Sequence, residues 1–167
     1  GLGGATFPAH VKLCPPPAFK AECVIINAVE CEPYLTADHQ LMLEHAEEIM
    51  VGVSILMKAV KVNKAFIGIE NNKPDAIQLM SKVAESYPGI EVVPLKVKYP
   101  QGGEKVLIYN TTKKVVPEGK LPLDVGVIII NVTTLAKIAE YIKTGMPLVS
   151  KTVTVDGFRK GKCPRDV

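Results

Sequence analysis

The chain has 167 residues, of which 47% are hydrophobic and 22% charged, and this composition excludes a disordered polyelectrolyte. The net charge is only +3 and tryptophan is absent, so the composition argues against a nucleic-acid-binding protein. No stretch approaches the 18 or more consecutive apolar residues of a membrane-spanning helix, so we expect no direct insertion into a membrane.

The length predicts a single domain over residues 1–167. Gly1 opens a glycine-rich run without an initiator methionine, which indicates a piece of a longer polypeptide. The four cysteines, at positions 14, 23, 31 and 163, form no CxxC pair, so neither a zinc site nor an iron–sulfur cluster is expected in this stretch. Free thiols in a reducing cytosol are the expected state.

The chain opens with loop and strand signals. Residues 1–20 are loop-like, with glycines at the start and three consecutive prolines. The β-branched run at 23–28 predicts a buried strand, followed by an acidic loop over 27–33. Thr36 or Asp38 can then cap one long helix that continues to about residue 60, because its apolar residues recur at near-helical spacing.

Strand and helix signals alternate through the rest of the chain. In chain order they predict a strand at 65–69, a helix from Pro74 to about residue 87, a strand at 90–97, a glycine loop at 99–104, a short helix at 104–111, a strand at 125–131, a helix at 135–143 capped by Thr133, and a strand at 148–155. This alternation predicts an α/β fold, a three-layer arrangement in which a largely parallel sheet carries helices on both faces.

Two glycine-containing loops, residues 1–12 and 99–105, suit close approach of the backbone to a ligand. Ligands of open α/β sheets bind beyond the carboxyl ends of the strands, and glycine lets the backbone approach a flat or phosphorylated group. Lys12 can supply positive charge to a phosphate or to a ring that gains electrons. Ordinary turns are the alternative interpretation of both loops.

Polar side chains follow the first predicted strand. Glu30 and Glu32 suit hydrogen-bond donors such as sugar hydroxyls, or general acid–base catalysis, whereas a solvated acidic loop is the alternative. Asn27 can act as a ligand amide or cap the turn.

A further polar group follows the strand at 125–131. Asn131, Thr133 and Thr134 open a helix there, where free N–H groups and hydroxyls form an anion site. Simple N-capping of the helix is the alternative.

Five blocks in order resemble the RnfC family, the cytoplasmic subunit of the ion-translocating ferredoxin:NAD oxidoreductase (Rnf) complex. They read GLGGATFPAHVKL, INAVECEPYLTADHQLMLE, YPQGGEK, LPLDVGVIIINV and PLVSKTVTVDG. The set is similar, more distantly, to the NADH-binding flavoprotein subunit of respiratory complex I and to cobalamin-reductase relatives. The resemblance implies a complex I flavoprotein-like domain that binds FMN non-covalently and exchanges hydride with NAD(H), with no catalytic side chain and no metal ligands.

The resemblance also implies which residues contact the cofactors. They are Gly1, Gly3, Gly4 and Lys12 in the first loop, Asn27, Glu30 and Glu32 at the flavin and NADH, Asp38 in the same acidic block, Tyr99, Gly102, Gly103 and Glu104 beside the flavin, and Asn131, Thr133 and Thr134 at the FMN phosphate and ribityl chain.

The sequence departs from the family pattern at two places. The usual N-G-A-E is here Asn27-Ala-Val-Glu30, and the usual N-V-G-T is Asn131-Val-Thr-Thr134, closer to the complex I version. A relative that has lost the flavin and acts as a binding or scaffold module, or a cobalamin-reductase-type relative, is therefore the alternative function.

The resemblance finally implies a longer parent protein. That parent would add an N-terminal segment, a β-grasp domain and 4Fe-4S clusters, which the flavin would feed with electrons. Partner subunits of the complex would hold it peripherally at the cytoplasmic side of the membrane, where the complex couples electron transfer to ion translocation.

Overall fold

The computed structural model describes residues 7–17 and 19–155 and the backbone of residues 165–166. The helices are α1 (Ala9–Leu13), α2 (Ala37–Glu44), α3 (Ala46–Val60), α4 (Pro74–Ala84), α5 (Glu104–Thr112) and α6 (Val132–Thr144). The strands are β1 (Cys23–Asn27), β2 (Ala65–Glu70), β3 (Ile90–Leu95), β4 (Val127–Asn131), β5 (Thr154–Val155) and β6 (Arg165–Asp166). No helix in this part of the chain is long and apolar enough to cross a membrane.

Strands β1 to β4 form one parallel sheet in the order β3-β2-β1-β4. Chain connections run outward from β1 to β3 and then return to β4 on the other side of β1. The direction of winding therefore reverses between β1 and β4, whose last residues, Asn27 and Asn131, are paired in register. Such a reversal opens a crevice at the carboxyl ends of the two strands, where ligands bind in open α/β sheets.

Apolar residues cover both faces of this sheet. Ile26 and Ile130 contribute to a core shared with α2, α3, α4 and α6 on one face, while Ile25 and Ile129 pack in a second core that includes Leu107 of α5. Successive strand residues point to opposite faces, so the unbroken apolar runs of β1 and β4 are the pattern of a sheet buried on both sides. The predicted three-layer α/β class is confirmed.

The single helix predicted to end near residue 60 is instead two helices. His45 leaves the helical region at φ −129° and ψ 34°, so α2 ends and α3 begins on either side of it. Because α2 packs against α4 while α3 packs mainly against α6, the chain must change direction between them. The periodicity of apolar residues continues through the bend, which is why the sequence predicted one helix.

Two predictions near the C-terminal part were wrong. The cap of α6 is Asn131, whose side-chain oxygen accepts a hydrogen bond from the Thr133 N–H at 3.0 Å, so Thr133 is inside the helix. Of the strand predicted at 148–155, only β5 forms, and it pairs antiparallel with β6 rather than joining the main sheet. Apolar residues such as Leu148 and Val149 are exposed, so their alternation does not reflect a buried face.

Candidate functional site

A cleft of about 1230 Å³ opens at the reversal between β1 and β4. It continues along α3 and α6 to residues 151–154. Nine residues expected at a cofactor site line it: Asn27, Glu30, Glu32, Asp38, Tyr99, Gly102, Gly103, Asn131 and Thr133. The fold thus brings together side chains from three loops that are far apart in the sequence.

Glu30 holds the start of α2. Its two carboxylate oxygens accept hydrogen bonds from the N–H groups of Asp38, at 2.9 Å, and His39, at 3.3 Å. These N–H groups belong to the first turn of the helix, where intrahelical acceptors are missing. Burial raises the pKa of Glu30, and the nearby Asp38 carboxylate adds to the rise, whereas the two amides oppose it. Glu30 is therefore a helix-capping group as well as a cleft residue.

Glu32 and Tyr99 connect the acidic loop to the glycine loop. The Tyr99 hydroxyl donates a hydrogen bond of 3.2 Å to a Glu32 carboxylate oxygen. The negative charge of Glu32 and this hydrogen bond raise the pKa of Tyr99. The pair lies at the exposed mouth of the cleft, where a ligand can displace it at little cost, since exposed polar pairs contribute little to stability.

Asn27 fixes the relation between the acidic loop and Gly102. Its side-chain NH₂ donates to the Gly102 carbonyl at 3.0 Å, and its side-chain oxygen accepts from the Val29 N–H at 3.1 Å. A Cβ atom placed on Gly102 would lie 3.3 Å from the Val29 carbonyl oxygen. A side chain at this position would therefore be tight against the acidic loop, and at Gly102 the backbone itself forms this wall of the cleft.

Asp38 joins α2 to the start of α6. One of its carboxylate oxygens accepts a hydrogen bond of 2.5 Å from the Thr133 hydroxyl, and the other accepts one of 3.2 Å from the Asn131 side-chain NH₂. The same Asn131 group lies 3.5 Å from the Asn27 carbonyl oxygen. The Thr133 hydroxyl and the Asn131 side-chain amide, which we expected to face an anion, thus donate hydrogen bonds to a carboxylate of the protein.

Three expected site residues do not line the cleft: Lys12, Glu104 and Thr134. The Lys12 ammonium pairs with Glu104 at 2.6 Å and donates to the Ile129 carbonyl at 3.1 Å, which ties α1 to α5 and β4. Thr134 is half-buried in the first turn of α6. Gly1, Gly3 and Gly4, also expected at the site, lie outside the described residues, as does Cys163; the other three cysteines are free thiols.

The sequence interpretation missed three polar residues that support these loops. Within the described ranges, Glu70, Lys73 and Gln101 are the buried polar or charged residues. Gln101 lies in the glycine loop and its side-chain oxygen accepts a hydrogen bond of 3.1 Å from the Asn110 side chain. The available signal was Glu70, a charged residue that directly follows the apolar run of the second predicted strand.

A parallel sheet in the order 3-2-1-4, with its ligand cleft at the winding reversal, defines an α/β ligand-binding domain of the doubly wound kind. Residues 1–140 match the model of the Nuo51 FMN-binding domain family. The solved NAD⁺-reducing NiFe-hydrogenase in the air-oxidised state shares the fold, with a TM-score of 0.71 at 22% identity over 84% of this chain and 28% of that chain.

Curated relatives match almost the whole chain. It is 52% identical over 157 residues to the C subunit of the Na⁺-translocating ferredoxin:NAD⁺ oxidoreductase complex of Acetobacterium woodii, a match that covers 94% of this chain and 35% of that protein. It is 45% identical to the C subunit of the ion-translocating oxidoreductase complex of Vibrio cholerae, over 100% of this chain and 21% of that protein.

The chain therefore belongs to the Nuo51 FMN-binding domain family, and its curated relatives identify it as a member of the RnfC family. It spans about a third or less of the length of these curated relatives.

Proposed function

We propose that this chain is the flavin domain of an RnfC subunit, which holds FMN non-covalently in the cleft between β1 and β4 and exchanges hydride with NAD(H). The observation that carries the proposal is the cleft itself, because it gathers nine of the expected cofactor residues at the winding reversal of the sheet. The family match to an FMN-binding domain supports the same cofactor.

The residues of the cleft fit a flat, hydroxyl-bearing cofactor. Gly102 and Gly103 offer backbone without a side chain, so a planar ring can approach this wall closely. Asp38 supplies carboxylate acceptors for the hydroxyl groups of the flavin, and Glu30 and Glu32 supply them for those of a dinucleotide. When bound, FMN supplies a ring that takes up or releases hydride against a nicotinamide.

The protein's part in this chemistry is binding and orientation. Asn27 keeps the acidic loop against Gly102, so the two walls of the cleft stay at a fixed separation. Asp38 holds Asn131 and Thr133 in one orientation beside the cleft. Side chains locked in this way keep a bound ring in a defined position, which is the main contribution of a protein to cofactor chemistry.

Residues beyond this cleft would also take part. Gly1, Gly3, Gly4 and Lys12 would complete the flavin and dinucleotide site together with Glu104 and Thr134. In the parent subunit, electrons would pass to 4Fe-4S clusters outside this chain. The other subunits of an ion-translocating complex would hold the chain, as the names of its relatives suggest. It would work there at the cytoplasmic side of a membrane.

A scaffold module without flavin is the second candidate. It is favoured by one observation, the internal hydrogen bonds of Asn27 and Asn131, which occupy polar atoms expected to face the cofactor. A domain that had lost its ligand would need such bonds to satisfy the polar groups of the cleft.

Titration with FMN distinguishes the two candidates. Quenching of flavin fluorescence at micromolar protein is expected to be saturable, and Gly102→Val is expected to weaken binding at least tenfold by filling the cleft wall. Gly119→Val controls for a general loss of stability, since Gly119 has open space around it and a positive φ, so its substitution strains a turn away from the cleft. Absence of saturable quenching in the wild-type chain would favour the scaffold function.

A further inference from the structure

Two charged side chains are buried beneath the acidic loop. Glu70, the last residue of β2, is 1% exposed, and Lys73, just before α4, is 7% exposed. They are the charged members of the small buried polar set in the described residues. Burial of charge opposes folding unless the group is paired and hydrogen-bonded. This pair is therefore expected to have a structural function that an exposed ion pair could not perform.

Lys73 connects this pair to the acidic loop. Its ammonium lies 3.9 Å from a Glu70 carboxylate oxygen and donates a hydrogen bond of 3.5 Å to the main-chain carbonyl of Glu30. The other Glu70 oxygen is buried without a hydrogen-bond partner. The ion pair between Glu70 and Lys73 is long and leaves one carboxylate oxygen without a hydrogen bond, so it contributes little to stability by itself. The contact of Lys73 with the Glu30 carbonyl is therefore the interaction that explains why the pair is buried here.

The position of Glu30 affects the placement of two neighbouring helices, α2 and α6. Its carboxylate caps α2 through the Asp38 and His39 N–H groups, and Asp38 in turn holds Thr133 at the start of α6. The fixed main chain of Glu30 therefore determines where the acidic loop, α2 and the cleft edge lie relative to one another. Lys73 is the group that fixes this main chain from beneath.

The electrostatic surroundings of Glu30 also favour a buried cation. The charged groups that act on it are Asp38 from α2, which disfavours its ionised form, and Lys73 from the start of α4, which favours it. The His39 side chain bonds instead to Asp75 of α4 at 2.9 Å, on the exposed side of α2.

We propose that Lys73, seated by Glu70, is the positioning residue of the acidic loop: it holds the Glu30 main chain and supplies the positive charge that balances the carboxylates of the cleft. Its effect on flavin binding rests on the proposed function, whereas its effect on the loop does not.

The test replaces both charges together, with Glu70→Gln and Lys73→Met, so that no unpaired charge is left buried. The matched control is Glu22→Gln with Lys114→Met at the opposite end of the sheet. There the Lys114 ammonium likewise contacts a carboxylate, Glu22, and a main-chain carbonyl, that of Val125.

Hydrogen exchange of the Asp38 and His39 amides, measured by NMR, reports whether Glu30 still caps α2. We expect exchange to be at least tenfold faster at these amides in the Glu70/Lys73 variant, with amides of β1 unchanged, and no such change in the control variant. We also expect the carbon-13 titration of the Glu30 carboxyl to move to higher pH, because the favourable charge of Lys73 is gone. Unchanged exchange and titration, or a uniform increase in exchange across the sheet, would overturn the proposal.

Should the Glu70/Lys73 variant fail to fold, the wild-type chain provides the test. The nitrogen-15 resonance of the Lys73 ammonium is expected to shift as Glu30 titrates. A nitrogen-15 chemical shift that does not change over the titration of Glu30 would overturn the proposal. FMN affinity of a folded variant is expected to fall at least fivefold. Failure of the wild-type chain to bind FMN would contradict the proposed function alone, because exchange and titration are measured without flavin.

Discussion

Asp38 shows how one carboxylate can join separate elements around a cleft. It accepts hydrogen bonds from Thr133 and Asn131, both from the start of α6, while its own N–H is held by Glu30. Hydrogen bonds to a charged group contribute more to stability than neutral ones. This arrangement makes the residue a structural tie as well as a member of the proposed flavin site.

Replacement of Asp38 by alanine is expected to lower the free energy of unfolding by about 2 kcal/mol, because two charge-assisted hydrogen bonds are lost and the half-buried Thr133 hydroxyl loses its acceptor. Urea unfolding of the variant measures this change. Glu44→Ala is the control, since Glu44 is an exposed residue of the same helix and accepts a bond from Gln40 one turn away. Equal effects of the two substitutions would contradict the role of Asp38 as a tie.

Glu30 predicts a pH dependence of stability. Its pKa in the folded chain is raised above its ordinary value of 4.5, mainly by burial. The folded state therefore binds the proton more tightly than the unfolded state, and this stabilising contribution is complete below the unfolded pKa and is lost as pH rises through the folded pKa.

Glu30→Gln removes that titration, so the difference in unfolding free energy between variant and wild type should shift in favour of the variant as pH rises from about 4 upward. Urea unfolding at a series of pH values provides the measurement. A difference that stays constant over this range would show that the burial of Glu30 does not affect its ionisation.

At the scale of elements, the crossing of α3 and α6 depends on Gly52. A Cβ atom at this position would lie 2.3 Å from the Leu135 carbonyl oxygen, closer than real side chains approach a backbone. The two helices are therefore in backbone contact at this point, and α6 carries Asn131 and Thr133 at its start. The geometry of the cleft thus depends on a packing contact at Leu135, in the first turn of α6.

Gly52→Ala is expected to lower the free energy of unfolding by about 1–3 kcal/mol, since overpacking forces the helices apart. Thermal or urea unfolding measures the change, and Val51→Ala, at a partly exposed neighbour on the same helix, is the control. A neutral or stabilising Gly52→Ala would contradict the close crossing, because alanine favours a helix when space permits.

The sequence predicted the elements that carry unbroken apolar runs. Strands β1 and β4 were placed nearly as they are found, because sheets buried on both faces have continuous apolar strands. The break at His45 and the loss of most of the strand at 148–155 were missed, since both depend on which distant element the chain packs against. The periodicity of apolar residues shows that one face of a helix or strand is apolar, but it does not show which other element packs against that face.

The residues of the candidate site were likewise predictable from the sequence, whereas their hydrogen-bond partners were not. Asn27, Glu30 and Gly102 could be singled out because polar and glycine residues follow apolar strands, and the structure brings them together. The partners of those groups could not be predicted, since Glu30 caps a helix that begins seven residues later and Lys73 reaches it from 43 residues away. Pairings of this kind are properties of the folded chain.

At the scale of the whole molecule, the chain corresponds to about a third or less of the curated relatives it matches. In the RnfC subunit of the proposed function, Glu30→Gln with Glu32→Gln is expected to lower electron transfer from NADH to an acceptor at least tenfold while FMN stays bound. The reason is that the two carboxylates are proposed to hold the dinucleotide. Kinetics measured with varied NADH, together with the flavin content of the purified variant, provide the check, and unchanged kinetics would remove the pair from the dinucleotide site.

The proposed function requires that FMN bind between β1 and β4. An NMR titration of the labelled chain with FMN tests it most directly, because each amide reports on its own surroundings. We predict saturable shifts at the amides of Asn27, Gly102, Gly103 and Thr133, with none at Glu22 or Lys114 at the other end of the sheet. Saturable binding that shifts only amides away from the cleft, or no shifts at all, would contradict it.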